Sequence, residues 1–403
     1  MRVVTNTQGI VREHGIKVCM LTYSFYENDG RVKRYAESLA SRGDEVDVIS
    51  LRKKGQPAFE TFKAVNVYRI QERTPDEKGK FSYLEKLVRF FLHSSYYLSK
   101  EHSRNPYNFI HVHSIPDFEV FAALLPKLSG CKIILDIHDI VPELYVSKFS
   151  RADNGMLFRA LKTVEKLSCG FADHVIISNH IWEKKLCSRS VSPSRCTTLL
   201  NYPDPSIFFP RKRTRNDDKF IMMYPGTLNW HQGLDLAIEA FMSIAAQVPQ
   251  AEFHIYGRGS ELDKLREMAD SAGLSSRILF QPPVRIEEVA ELMANADLCI
   301  IPKRNDPFGG EAFSTKSLEF MSLGVPVIMS RTKIDSYYFN DSVVRFFEPE
   351  NVSDLASAML DLATNKTKRR LLVDNASKFV AEFSWEKKKL EYFSLVDRLT
   401  RKG

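Results

Sequence analysis

The 403-residue chain is longer than one hydrophobic core usually fills, and its 44% apolar and 27% charged residues are those of a globular protein with two domains. No run of about 18 apolar residues occurs, which excludes a membrane-spanning helix, and the start, MRVVTNTQGIVREHG, lacks the apolar segment of a secretory signal. The net charge of +7 is concentrated in residues 1–200, with 30 Lys and Arg against 22 Asp and Glu. An anionic partner is therefore expected on the first half: a membrane surface or a phosphate-bearing acceptor. Nucleic acid is not expected, because neither zinc-finger spacing nor an RNA-binding signature accompanies the charge. The six cysteines form no CxxC pair and most sit in apolar contexts, which suits a reducing cytosol better than a disulfide framework.

Residues 1–15 read as a loose extension. Ile16–Leu21 is an apolar strand, a turn with Gly30 follows, and Val32–Ser41 has helical spacing that stops at Gly43. Glu45–Leu51 is the next strand. This βαβ opening predicts a parallel sheet with ligands at the carboxyl ends of strands, where Asn28, Asp29, Gly30 and Arg31 fall. Val65–Ile70 is a further strand. Phe81–His102 is amphipathic, and its face of Leu84, Leu87, Val88, Phe91, Leu92 and Tyr96 suits either a core or a membrane interface. Phe109–Val112 is a strand carrying His111 and His113 at its end. No third ligand follows at a metal-binding spacing, so no metal is expected there. Phe118–Lys127 reads as a helix. The buried strand Ile133–Ile137 then delivers His138 and Asp139 to the sheet edge, with Asp139 placed to orient His138. Helices Asn154–Cys169 and Asn179–Cys187 flank a strand at Val175–Ser178.

The Pro-rich, then charged stretch 201–219 reads as a linker. A second βα series follows. Ile221–Tyr224 is a strand, PGTLNWHQG its Gly-bearing loop, and Leu234–Ala246 a helix. Ala251–Tyr256 is a strand before a GRGS loop, Glu261–Ala272 a helix, Ile278–Phe280 a strand and Glu287–Asn295 a helix. Leu298–Pro302 is a strand ending in Lys303 and Arg304. The stretch NDPFGGEAFSTKSLEFMSLGVPVIMS then places Glu311 in a loop, with Ser314 and Thr315 as caps of a helix that runs to about Leu323. Glu319 lies inside this helix, Gly324 ends it, and Val325–Met329 is a strand. Free N–H groups at such a helix start make an anion site, and Lys316 in its first turn is disfavoured by the dipole unless an anion is also there. These features suit a sugar attached to a diphosphate. Val343–Phe346, a helix from about Ser353 and a final helix from Ser384 complete the chain. The expected division is 1–203, 204–383, and a helix at 384–403 returning to the first domain.

These residues resemble the GT-B glycosyltransferases of family GT4, the retaining group. Glu311 and Glu319 match the EX7E motif, SLGVPVI its continuation, Gly226–Gly233 the Gly-rich loop, Asn28–Arg31 the phosphate-side loop of the first domain, His138 the histidine after a central strand, and FSWEKKKLEYF the returning C-terminal helix. The resemblance implies two Rossmann-like β/α/β domains with a cleft between them, a nucleotide-diphosphate sugar as donor, and a glycan or lipid-linked acceptor in polysaccharide biosynthesis. It implies catalytic roles for His138 and Glu311, ribose contact for Glu319, and no cofactor. No D-x-D occurs, so a metal-independent enzyme is expected, with helix N–H groups and cations stabilising the leaving phosphate. The chain departs from the family pattern in one place. Thr227 and Gln232 stand where the Gly-rich loop usually carries Arg and Lys. Lys316, with Arg258 or Lys303, is expected to supply the missing charge. The same fold also serves nucleotide-sugar 2-epimerases and non-catalytic partner subunits. A cytoplasmic enzyme, peripheral on the inner face of an anionic membrane, is the leading expectation.

Overall fold

The computed structural model describes residues 15–73, 80–149 and 155–401. The extension expected over residues 1–15 lies outside them except for Gly15. The chain folds as two units, residues 1–201 with 386–403, and residues 202–385.

In chain order the first unit forms β1 (Lys17–Thr22), α1 (Gly30–Ser41), β2 (Glu45–Arg52), β3 (Phe59–Phe62), β4 (Val65–Glu72), α2 (Lys80–Arg104), β5 (Phe109–His113), α3 (Leu124–Leu128), β6 (Lys132–Ile137), α4 (Val141–Phe149), α5 (Met156–Phe171), β7 (His174–Ile177), α6 (His180–Cys187) and β8 (Cys196–Thr198). The sheet order is β3-β4-β2-β1-β5-β6-β7-β8, and only β3 runs antiparallel to its neighbour. β1, β5 and β6 are almost continuous apolar runs because a parallel sheet is covered on both faces. The strand order reverses between β1 and β5, which puts the loops after both strands at the switch point where ligands bind in open α/β sheets. The segment expected as one helix over Phe118–Lys127 is a 3-10 turn at Asp117–Ala123 followed by α3. Pro126 explains the break: inside a continuous α-helix its ring would clash with the carbonyl of Ala122. The expected apolar face of α2 is also divided. Leu87, Phe90 and Leu98 are buried, whereas Leu84, Val88, Leu92 and Tyr96 face solvent.

The second unit contains β9 (Phe220–Pro225), α7 (Leu234–Ile244), β10 (Ala251–Tyr256), α8 (Leu262–Ser271), β11 (Ile278–Gln281), α9 (Ile286–Ala294), β12 (Leu298–Ile301), α10 (Thr315–Ser322), β13 (Val327–Ser330), α11 (Lys333–Tyr338), β14 (Arg345–Phe347), α12 (Val352–Thr364) and α13 (Lys366–Glu382). Its parallel sheet has the order β11-β10-β9-β12-β13-β14 and packs Met222, Tyr224, Ile238, Phe241, Phe253 and Leu298 into one core. The order reverses between β9 and β12, so the Gly-rich loop after β9 and the Lys303 loop after β12 emerge side by side.

The C-terminal helix (Trp385–Thr400) packs on the first unit from Glu386 onward. Tyr392 is fully buried with its hydroxyl 2.9 Å from His111 Nδ1, and Asp397 pairs with Arg42 at 2.8 Å. Among the described residues no helix is long and apolar enough to cross a membrane.

Candidate active site

In the second unit the chain turns out of β9 at Gly226, whose φ is +151°. A Cβ built there would lie 2.5 Å from Lys316 Cε and 2.9 Å from its Nζ. Lys316 therefore does not point into solvent; it lies across the bare Gly226 backbone, with Nζ 5.1 Å from the centre of the Tyr224 ring. Burial lowers the ammonium pKa, against the pull of Glu319 one turn along. A buried cation at the start of α10, beside the free N–H groups of the helix, is an arrangement that an anion would complete.

The two uncharged loop residues have defined positions. The Tyr224 hydroxyl lies 2.8 Å from Gln232 Oε1 and 3.0 Å from the Thr227 carbonyl, donating to one at a time, while the Thr227 side chain is exposed. Arg258 is exposed beside the loop, and its carbonyl accepts the Leu228 N–H at 2.9 Å. Lys303 does not contribute as expected. It is buried, 2.9 Å from Asp335, and donates to the Ala312 carbonyl at 2.6 Å, so its charge is neutralised within the unit. Ser314 occupies the N-cap of α10, but its side chain makes no capping bond, and its carbonyl accepts the Ser317 hydroxyl at 2.6 Å. Thr315 opens the helix. Glu319 sits half-buried inside it, and Glu311 sits in the preceding turn with Oε1 2.8 Å from Lys333 Nζ.

In the first unit Asp29 caps α1, accepting the Val32 N–H at 3.1 Å and the Ser24 hydroxyl at 2.8 Å. Burial pushes its carboxyl up, but His138, His113 and these two donors outweigh it and hold it below the ordinary aspartate range. Asn28 accepts from Lys53 at 3.1 Å. Asn28, Asp29, Gly30, Arg31 and His138 line one pocket of about 410 Å³. Arg31 turns its guanidinium inward. It grips both oxygens of Asp136 at 2.7 and 2.8 Å and donates to the Leu199 carbonyl at 2.8 Å. Its charge is therefore matched inside the fold by a fork-to-carboxylate pair.

Asp136, not Asp139, is the carboxylate beside His138, since Asp136 Oδ2 is 3.3 Å from His138 Nε2 and 3.3 Å from His113 Nδ1. Burial opposes ionisation of Asp136, but Arg31 and His138 hold it well below the usual range. Burial drives His113 and His111 down, so both are neutral near pH 7. Spacing along the sequence does not mark Asp136 as a site residue. Asp136 lies in β6 and His138 follows its end, two residues on, and Asp136 is the one carboxylate in the run KIILDI. The register also sets Asp136 directly opposite His113. The third potential metal ligand thus comes from the neighbouring strand: His111, His113 and Asp136 offer atoms all within 4.8 Å of one another. The Arg31 guanidinium on both carboxylate oxygens opposes a second cation at that point.

Residues 31–206 match the model described as Glycosyltransferase Family 4, and residues 206–379 that described as Glycosyl transferases group 1. An uncharacterized glycosyltransferase of Methanocaldococcus jannaschii is 25% identical over 378 residues, covering 88% of this chain and 90% of the relative. The gpi3 subunit of a phosphatidylinositol N-acetylglucosaminyltransferase of Schizosaccharomyces pombe is 24% identical, over 68% of this chain and 58% of its own length. A sucrose-phosphate synthase of Thermosynechococcus elongatus superimposes with a TM-score of 0.77 at 18% identity, covering 95% of this chain and 99% of that one. Anabaena HepE, solved with UDP-glucose, superimposes at 0.71 with 15% identity, over 95% and 100%. Two parallel-sheet α/β units of this kind make up the GT-B fold. The chain belongs to family 4, the group 1 glycosyltransferases.

Proposed function

We propose that the protein transfers a sugar, with retention at the anomeric carbon, from a nucleotide-diphosphate sugar to a glycan or lipid-linked acceptor in polysaccharide biosynthesis. The observation that carries this reading is Lys316, laid across Gly226 at the start of α10. Cleaving the bond to the donor diphosphate builds negative charge on the leaving phosphate, and a fixed cation beside helix N–H groups stabilises that charge as it develops. One lysine from the helix would thus replace the two cations that Thr227 and Gln232 leave out, without a metal ion. UDP-glucose bound to HepE, a relative in fold, supports a nucleotide sugar as the donor class.

Glu311 and Glu319 are acceptor-only groups suited to vicinal hydroxyls, Glu311 on the donor sugar and Glu319 on the ribose. Exposed Arg258 is free to approach the diphosphate. His138 reaches the first-unit pocket and would hydrogen-bond the sugar or the acceptor, while the leaving phosphate itself takes the acceptor proton on the same face. The enzyme would work in the cytoplasm at the inner face of the membrane.

A thermal-shift screen with UDP-, GDP-, ADP- and dTDP-sugars tests the donor site, because a ligand that binds only the native state raises Tm by mass action. One of the four is expected to raise it, and Lys316→Ala to abolish the rise and lower kcat/KM at least about tenfold, the worth of one charge-assisted contact. Wild-type kinetics in Lys316→Ala would remove the lysine from the mechanism.

A further inference from the structure

The loop between β9 and α7 contains a 3-10 turn, Trp230–Gln232, whose three side chains have three different surroundings. The turn is pinned by its backbone: the His231 carbonyl accepts the Arg304 N–H at 2.9 Å, and the Trp230 carbonyl accepts the Gly233 N–H at 3.0 Å. Trp230 packs under the Arg304 guanidinium, 4.7 Å from the ring centre, and that guanidinium is paired with Asp235 at 2.6 Å. Gln232 is committed to the Tyr224 hydroxyl at 2.8 Å. His231 meets Phe308 instead, nearly perpendicular to it with 6.0 Å between ring centres, where the charge of Lys316 reaches the imidazole. This histidine has no part in the donor site described so far.

The charged groups that act on its ring come from three places: Lys303 after β12, Asp306 in the loop that follows, and Lys316 on α10. Lys303 is paired with Asp335 at 2.9 Å, Glu319 acts on Lys316, and Asp306 accepts the Gly309 N–H at 3.0 Å. Burial is the largest influence on the imidazole and disfavours its charged form. Asp306 opposes that effect, and Lys316 and Lys303 add to it, so His231 is held below the ordinary histidine value and is neutral near pH 7. A diphosphate beside Lys316 would reverse the balance. It offsets the lysine charges, and a negative charge within about 4–6 Å of an imidazole favours the protonated ring.

We propose that His231 is a second ligand of the donor diphosphate, taking up one proton from solvent as the nucleotide sugar binds and donating a charge-assisted hydrogen bond to it. The inference rests on the donor site at Gly226 and Lys316 and adds a cation that exists only in the complex. Calorimetry of the full chain tests it, with UDP-glucose and, in parallel, GDP-, ADP- and dTDP-glucose. Titrations at pH 7.0 in buffers of different ionisation heat count the protons, and roughly 0.5–1 should be taken up per nucleotide sugar bound. The diphosphate diester itself does not titrate near neutrality, so Kd should weaken at least about threefold from pH 6.5 to 8.0. His231→Asn should abolish both the uptake and the pH dependence, with an unchanged melt in the absence of donor. His231→Lys, a permanent cation, should hold at pH 8.0 an affinity within about twofold of the wild-type value at pH 6.5. Binding without proton uptake would overturn the proposal and leave the donor site standing. Uptake that survives in His231→Asn would also overturn it, because the proton would then belong to another group such as Lys316. Neither heat nor a thermal shift with any of the four sugars would refute the donor site, and this ligand with it.

Discussion

Asp136 carries two duties that substitution can separate. It neutralises a buried guanidinium, and it holds His138 Nε2 at 3.3 Å, a contact that favours the tautomer protonated there and leaves Nδ1 as an acceptor. Asp136→Asn strands Arg31 as an unpaired buried charge and should cost on the order of 3–5 kcal/mol in chemical denaturation. The double substitution Arg31→Met with Asp136→Leu removes both charges and should recover most of that stability. Its kcat should stay low, because His138 Nε2 then keeps only the His113 Nδ1 contact at 3.3 Å and no carboxylate to fix its tautomer. Recovery of kcat together with stability would show that the carboxylate serves the fold alone.

At the scale of elements, the glycines of the β9–α7 loop divide the labour. At Gly233, with φ +66°, a Cβ would come within 2.0 Å of the Pro302 carbonyl oxygen, a backbone atom that cannot yield. Gly233→Ala should therefore lower the melting temperature, with at least about 1–2 kcal/mol coming from the left-handed backbone alone. At Gly226, with φ +151°, a Cβ would both strain the backbone and meet the flexible end of Lys316, so Gly226→Ala should lower Tm and, by displacing the lysine, raise the donor KM as well. An unchanged donor KM in Gly226→Ala would contradict the placement of Lys316.

The long βα units were legible because their periods were unambiguous. Lys17–Thr22, Ala251–Tyr256 and the helix from Thr315 each fall within a residue or two of where alternation and caps placed them. Short elements escaped. β3 is a solvent-exposed edge hairpin strand of four residues and β8 has three, so neither holds an apolar run long enough to register. The motif glutamates, the Gly-rich loop and His138 could be read from local order. Asp136 as the partner of Arg31, and Asp335 as the partner of Lys303, could not, because each pair joins residues distant in sequence and only the sheet order brings them together.

For the molecule as a whole, buried titrating groups set a pH dependence of stability. Burial pushes the Glu119 carboxyl up to about 8 and that of Asp117 up to about 7. Between the ordinary carboxylate range and these values the folded state holds more protons than the unfolded one, so stability falls as pH rises through that window. His111 and His113 act oppositely: their lowered values make stability fall as pH drops below about 6.5. The two slopes offset each other in acid, whereas above pH 6.5 the two histidines are neutral in both states and the Glu119 and Asp117 carboxyls still titrate. A melting-temperature series should therefore decline from pH 6.5 to 8.5. Glu119→Gln should flatten it, removing a penalty on the order of 4 kcal/mol at the alkaline end. An unchanged slope would show that Glu119 ionises freely in the fold. The C-terminal helix adds a constraint of timing. Domains generally fold as they leave the ribosome, amino-terminal first. Here Tyr392, which closes over His111, and Asp397, which pairs with Arg42, are translated after the entire second unit. The first unit is begun first and finished last, so a nascent chain stalled anywhere in residues 202–385 lacks both the Tyr392 hydroxyl beside His111 and the carboxylate that pairs with Arg42.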